Sequence, residues 1–144
     1  KECEVRIPDA DKIPRILRET REWLDIYFSG KIPDFTPALA PQGSDFRKMV
    51  WEELLKIPYG CTITYGQIAK QVADRKGISR MSAQAVGGAV GHNPIGIIIP
   101  CHRVVGTGGN LTGFGGGIRT KEALLKLEGM DMGRFYIPKK GTAL

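Results

Sequence analysis

Paired cysteines are missing from this 144-residue chain. It has three, Cys3, Cys61 and Cys101, an odd count with no paired spacing, which argues against a disulfide framework and for free thiols in a reducing compartment. Histidine is scarce too. Only His92 and His102 are present and no C-x-x-C pair occurs, so ligand spacing for zinc is lacking and neither a metal nor a cofactor is expected. Long apolar runs are also absent: the longest, Ile95 to Pro100, is far too short to cross a membrane. No charged-then-apolar leader precedes Lys1, and a cytoplasmic protein is expected. What remains is an ordinary globular composition, 42% apolar and 25% charged, on a chain long enough to bury a core.

Charge is unevenly placed. Residues 1–43 hold seven Lys/Arg against eight Asp/Glu, whereas residues 44–144 hold fourteen against seven, so the second segment carries the whole basic excess. Such a field suits a polyanion such as nucleic acid, and it equally serves solubility.

The same boundary divides the local signals. In residues 1–43, Cys3 to Ile7 alternates like a strand, and Pro14 to Phe28 repeats apolar residues at helical spacing with Gly30 past its end. Lys31 to Gly43 carries Pro33, Pro37 and Pro41 and reads as a linker. From Ser44, a helix with Phe46, Val50 and Leu54 on one stripe and Trp51 and Leu55 beside it stops before Pro58. Thr64-Tyr65-Gly66-Gln67 is a capping box for a short helix burying Ile68, Ala69 and Val72. After a polar, basic stretch, Ser82 opens a helix of small residues with Ala83, Val86 and Val90 inward, and the pair suggests a helix-turn-helix. Glycines inside a helix cost about 1 kcal/mol each against alanine. Gly87 and Gly88 therefore need close approach of another backbone, from protein or from DNA. Thr120 to Glu128 reads as a last helix, with Gly129 at its end.

Chemistry concentrates at Pro100-Cys101-His102-Arg103-Val104, after the apolar run Ile95 to Ile99, which reads as a buried strand. A thiol becomes a strong nucleophile only as thiolate, and His102 and Arg103 are the residue types that promote one. Adjacency alone is weak, because neighbours on an extended chain face opposite ways and buried cysteines are commonly inert.

Seven motifs, in order and nearly in spacing, resemble the O6-alkylguanine-DNA alkyltransferases. They are Val50-Trp51, Ile57-Pro58-Tyr59-Gly60, Thr64 to Ala69, Ala85 to Ala89, Asn93-Pro94, Ile99 to Val105 and Lys121 to Gly129. The resemblance implies an α/β (α+β) protein: a small, shortened N-terminal α/β subdomain over residues 1–43, then a mostly helical domain over 44–144 with the helix-turn-helix and a Cys-bearing strand or loop. It implies a monomer that binds double-stranded DNA in the minor groove, flips out O6-alkylguanine, or O4-alkylthymine, and takes the alkyl group once, on Cys101. His102 would accept the thiol proton through water, Glu128 would orient the imidazole, Asn93 would support the network and Tyr65 would donate to the guanine ring. Val104, Phe114, Gly115 and Ile118 would line the base pocket, with Gly113 to Gly117 offering backbone N–H groups. Gly66, Arg80, Ala83, Gln84, Gly87, Gly88, Arg103, Thr107, Arg47 and Lys48 would contact DNA, although Arg103 also suits a structural ion pair.

Two departures stand out against the resemblance. Gln84 occupies the place where most members carry an arginine that fills the gap left by the flipped base, and the connection Ala73 to Met81 is longer than usual. Competing readings are a non-catalytic sensor of alkylated DNA, which would lack Cys101, a Cys-His hydrolase with multiple turnovers, and a transcriptional helix-turn-helix. Gly87-Gly88 is a poor base-reading surface for the last.

Overall fold

A computed structural model describes residues 14–112 and 115–138. The expected strand Cys3 to Ile7 lies outside them. The chain divides into two compact units, residues 1–40 and 41–144.

The first unit is described through helix α1 (Arg15–Phe28) and the irregular segment after it. Pro14 stands before the first turn and Gly30 takes a left-handed φ of 82° after the last, as the sequence pattern predicts. Trp23 and Tyr27, one turn apart, stack with ring centroids 5.3 Å apart and are buried. Ile16, Leu17 and Phe28 of the same expected apolar face are exposed.

The second unit runs α2 (Asp45–Leu55), β1 (Ile63–Thr64), α3 (Tyr65–Lys76), α4 (Ala83–Gly91), a 3-10 turn Cys101–Arg103, β2 (Val104–Val105) and α5 (Ile118–Leu127), with further 3-10 turns at Thr107–Gly109 and Met132–Arg134. Each N-terminus among α2, α3 and α4 has a side-chain cap: Ser44 accepts from the Arg47 amide, Ser82 from the Ala85 amide, and Thr64 with Gln67 closes a reciprocal box. These caps satisfy amides that would otherwise lack partners. The three helices bury Val50, Trp51 and Leu54 against Ile68, Val72, Val86 and Val90, giving the helix-turn-helix a core of its own. Leu55, expected beside that stripe, is exposed, and Ala83 is only half-buried. Trp51 ties the layer together, its indole N–H donating to the Ala89 carbonyl at 2.9 Å. Gly43 makes room for it, since a Cβ there would lie 2.6 Å from the indole.

Two expectations fail here. Residues 73–76 continue α3, so the connection is only Gly77 to Ser82, opened by Gly77 in the left-handed region at φ 67°. Ile95 to Ile99 is a folded turn rather than a strand. The physical reason is Asn93, whose side-chain oxygen accepts from the Ile95 amide at 3.0 Å while its amide donates to the Ile99 carbonyl at 2.8 Å. One side chain thus bridges both ends of the apolar run. Ile97 pays for the bend with a φ of 73°, a strained value for a β-branched residue.

Sheet structure is minimal and decisive in placement. β1 and β2 pair in parallel with Ile63 beside Val104 and Thr64 beside Val105. Tyr65 follows β1 and Cys101–Arg103 precedes β2, so this ladder fixes the start of α3 next to the Cys-His turn. Behind it, Val105, Leu111 and Leu125 form a cluster with Ile118, Met130, Met132, Phe135 and Ile137 packed against it.

Trp51→Phe removes the buried donor to Ala89 and shrinks the core around α2 and α4. A stability loss of about 2 to 3 kcal/mol is expected in urea unfolding, from lost packing plus an unsatisfied carbonyl; a loss under about 0.5 kcal/mol, within the range of neutral surface changes, would contradict the role given to the indole.

Candidate active site

Cys101 opens the 3-10 turn and is buried, with His102 and Arg103 buried after it. The turn rather than a strand sends the consecutive side chains in diverging directions, and Glu128, the C-cap of α5, gathers two of them. His102 Nε2 lies 2.5 Å from Glu128 Oε2, so the ring donates there. Arg103 donates from Nε to Glu128 Oε1 at 2.8 Å and from Nη2 to Oε2 at 3.3 Å, and its Nη1 reaches the Ile57 carbonyl at 2.7 Å. The Gly60 amide adds a bond to Glu128 Oε1 at 2.9 Å. A helix-end glutamate that would ordinarily face solvent is here a buried carboxylate held by a cation, an imidazole and a backbone amide.

Each titratable group bears the mark of burial. Desolvation lowers the His102 pKa below its ordinary value, against the opposing pull of Glu128, so the imidazole is neutral at pH 7 and able to accept a proton. Desolvation likewise raises the Cys101 thiol, offset by a hydrogen bond from Asn93 and by the charge of Lys121. The resting site is thiol and imidazole, not thiolate and imidazolium. Tyr65, first residue of α3, is buried, and its hydroxyl donates to the Thr112 carbonyl at 2.8 Å. Its pKa is raised by burial and by the neighbouring Cys101, which makes it a hydrogen-bond donor rather than an acid.

The structure therefore brings together Cys101, His102, Glu128, Asn93 and Tyr65. Val104 is buried directly after the turn, and half-buried Ile118 packs against the Val105, Leu111 and Leu125 cluster. Gly115 approaches the end of α4, where a Cβ would lie 3.1 Å from the Gly91 carbonyl; Gly113 and Phe114 lie outside the described residues. Two expected DNA contacts are corrected. Arg103 is buried and committed to Glu128 and Ile57, leaving no guanidinium for a phosphate, and Gly87 is buried inside α4. Gly66, Arg80, Gln84, Gly88, Thr107 and Lys48 are exposed, with Arg47 and Ala83 half-buried. Arg75, in the basic stretch, is tied to Glu52 at 2.7 Å and Glu53 at 3.0 Å.

A model described as 6-O-methylguanine DNA methyltransferase, DNA binding domain, matches residues 45–130. The chain belongs to this family. A methylated-DNA–protein-cysteine methyltransferase of Methanosarcina acetivorans is 46% identical over 126 residues, which is 87% of this chain and 78% of that protein. One from Mycobacterium tuberculosis is 52% identical over 105 residues, 73% of this chain and 61% of its own. Among solved structures, M. tuberculosis OGT in complex with DNA matches with a TM-score of 0.70 at 47% identity, over 82% of this chain and 68% of that one. The chain spans 63% of the crystallised M. tuberculosis O6-methylguanine methyltransferase.

Two residues that stood in the sequence only as parts of matched motifs take places beside this cluster. The Gly60 amide reaches Glu128 across 68 residues. Lys121 is fully buried.

Glu128→Gln replaces the carboxylate that Arg103 and His102 share. Breaking a buried pair from one side costs about 3 to 5 kcal/mol, and denaturant unfolding is expected to show a loss near the lower bound because the amide still accepts one bond. A variant as stable as the parent would mean that Glu128 does not hold the site.

Proposed function

We propose that the protein repairs DNA by a single, stoichiometric transfer of an alkyl group from O6-alkylguanine to Cys101. The observation that carries this reading is the buried Cys101 beside a neutral His102 whose Nε2 is engaged by Glu128. With Nε2 so fixed, proton exchange with the thiol falls to Nδ1. The Cys101 S–H proton passes to His102, through water, as sulfur attacks the alkyl carbon; the C–O6 bond breaks and an S–C bond forms. The electron pair leaves with guanine, whose developing negative charge is stabilised by hydrogen bonding. Tyr65 supplies that bond once the base displaces its hydroxyl from the Thr112 carbonyl. The product thioether has no route back to a thiol, which makes the reaction single-turnover. Neither a metal nor a cofactor enters this chemistry.

Double-stranded DNA is the proposed partner and α4 the proposed minor-groove element. Gln84, Gly88 and Gly91 recur at helical spacing on its exposed side. A Cβ at Gly88 or Gly91 would meet nothing within 4 Å, so packing within the protein does not require glycine at either place. Close approach of a DNA backbone does. Base contacts and pocket lining from Val104 and Gly115, and phosphate contacts from Arg47, Lys48, Arg80 and Thr107, complete this reading, with a cytoplasmic location that keeps Cys101 reduced. The chain is proposed to act as a monomer. A lesion sensor without chemistry is the weaker reading because Cys101 is present.

Intact-mass measurement after mixing with an O6-methylguanine oligonucleotide is expected to show one methyl per molecule, mapped to Cys101 and abolished by Cys101→Ala. More than one demethylated base per protein, or methylation of Cys61 instead, would overturn the assignment.

Gln84 is proposed to stand in the gap left by the flipped base. Its amide can bond the orphaned base but carries no charge, and unstacking costs a few kcal/mol. Gln84→Arg is expected to speed transfer from an O6-methylguanine duplex several-fold while leaving the rate with free O6-benzylguanine unchanged; equal change in both rates, or a slower duplex reaction, would remove Gln84 from base flipping.

A further inference from the structure

Helix α4, the proposed minor-groove element, contains no charged residue, and Gln84 is its one polar side chain. Its exposed face does not stop at the last turn. Gln84, Gly88 and His92 follow one another at intervals of four, which puts them on one side of the helix, and all three are exposed. His92 is the C-cap, and its ring folds back along this face with Nδ1 2.7 Å from the Gly88 carbonyl oxygen. A carbonyl only accepts, so Nδ1 holds the hydrogen. The outer nitrogen, Nε2, is then a bare lone pair in the neutral ring and becomes a donor only with a second proton. Capping does not call for an imidazole here, because the His92 amide already reaches the Gly88 and Ala89 carbonyls at 3.2 and 3.3 Å.

DNA supplies a reason for one. A helix about 10 to 12 Å across is wider than a minor groove of about 6 Å, so the glycine face enters and the helix ends stand against the sugar-phosphate walls. His92 lies eight residues beyond Gln84, about 12 Å of helix rise. A helix C-terminus carries a partial negative charge, and phosphate oxygens accept but do not donate. Neutral His92 would therefore set a lone pair and carbonyl dipoles against a phosphate. The imidazolium reverses both terms, since it offsets the dipole and offers a charged N–H.

No ion pair among the described residues claims His92. Helices α2 and α3 pack on α4. Of their acids, Glu52 and Glu53 are bound to Arg75, while Asp45 and Asp74 make no ion pair with His92; their other bases are Arg47, Lys48, Lys70 and Lys76. The turn 93–99 and the glycines 115–117, which approach the Gly91 carbonyl, carry no charge.

We propose that His92 contacts the DNA backbone as an imidazolium, donating from Nε2 to a phosphate oxygen while Nδ1 stays on Gly88, so that the protein takes up one proton as it binds a duplex. The proposal rests on α4 lying in the minor groove, and it gives that helix the cation it otherwise lacks. His92 is a positioning residue that holds the far end of α4 while Gln84 stands at the near end. A phosphate favours the charged ring. Affinity is therefore greatest where the ring is protonated and falls as pH rises through the range in which imidazoles titrate, about pH 5 to 8.

The test measures binding of the full chain to a lesion-free fluorescent duplex by anisotropy, at fixed ionic strength, from about pH 5.5 to about 8.5. Without a lesion, no alkyl transfer disturbs the equilibrium. The parent is expected to bind about tenfold more weakly at the alkaline end, the change produced by a one-unit shift in a single group. His92→Ala is expected to lose this slope and to bind at every pH as the parent does when alkaline, whereas His92→Arg keeps the tighter binding throughout. His102, the one other histidine, is common to all three proteins. A flat parent profile, a slope that survives in His92→Ala, or a His92→Arg protein no tighter than His92→Ala near the alkaline end overturns the contact. Should the variants fail to fold, the His92 ring is followed by NMR in the parent with and without the duplex; its titration midpoint is expected to rise on binding, and an unmoved midpoint overturns the proposal. Failure to bind the duplex at any pH defeats the DNA reading on which the proposal rests, whereas tight binding with a flat profile defeats the His92 contact alone.

Discussion

Everything at this site depends on one buried carboxylate. Glu128 sits at the end of α5, where the helix would normally release its last side chain to water, and instead it receives bonds from His102, Arg103 and the Gly60 amide. Three stretches of chain are thereby held together: the turn after α2, through the Gly60 amide and, by way of Arg103, the Ile57 carbonyl; the Cys-His turn; and the end of α5. A charge so deeply desolvated is tolerable only when its lone pairs are all used and a cation lies against it. Arg103 supplies the cation, with its guanidinium also 5.6 Å from the centre of the Tyr59 ring. Neutralised by arginine, Glu128 can orient His102 without forcing it to protonate.

That neutrality shapes the reactive pair. Burial pushes the thiol up and the imidazole down, so both are uncharged until a substrate draws the proton across. In the proposed reaction such a thiol is activated only when a base fills the pocket. Such a site needs little scaffold. A two-residue parallel ladder suffices to set Tyr65 beside Cys101, because the helices on either side are independently capped and packed. Asn93 then does in one side chain what a strand would otherwise do, bridging Ile95 and Ile99 so that the apolar run folds back and delivers Cys101 to the interior.

The surface of α4 follows a different logic. Gly87 is buried, whereas Gly88 and Gly91 face open space and weaken the helix with no return in packing. A feature that costs stability and serves nothing inside the molecule is best accounted for by something outside it, which is how the glycine-rich face and the basic second segment join in one reading. Not all basic residues share in it, since Arg75 holds α3 to α2 through Glu52 and Glu53.

Local patterns were enough to find the capped helices, because N-caps, apolar spacing and terminating glycines act over a few residues: Ser44, Thr64 with Gln67, and Gly129 all stand where their chemistry places them. The Pro100 to Val104 motif and its companions likewise identified the family from residue order alone. Periodicity misjudged Ile95 to Ile99, since an apolar run carries no record of the Asn93 bonds that fold it. It also gave no hint that Glu128, Arg103 and Lys121 would be buried, for the type and spacing of a charged residue say nothing about partners 17 to 46 residues away. The order of chemical groups was a property of the sequence; their protonation states, and the commitment of Arg103 to Glu128, were decided by tertiary structure. Desolvation and pairing exist only once distant segments meet.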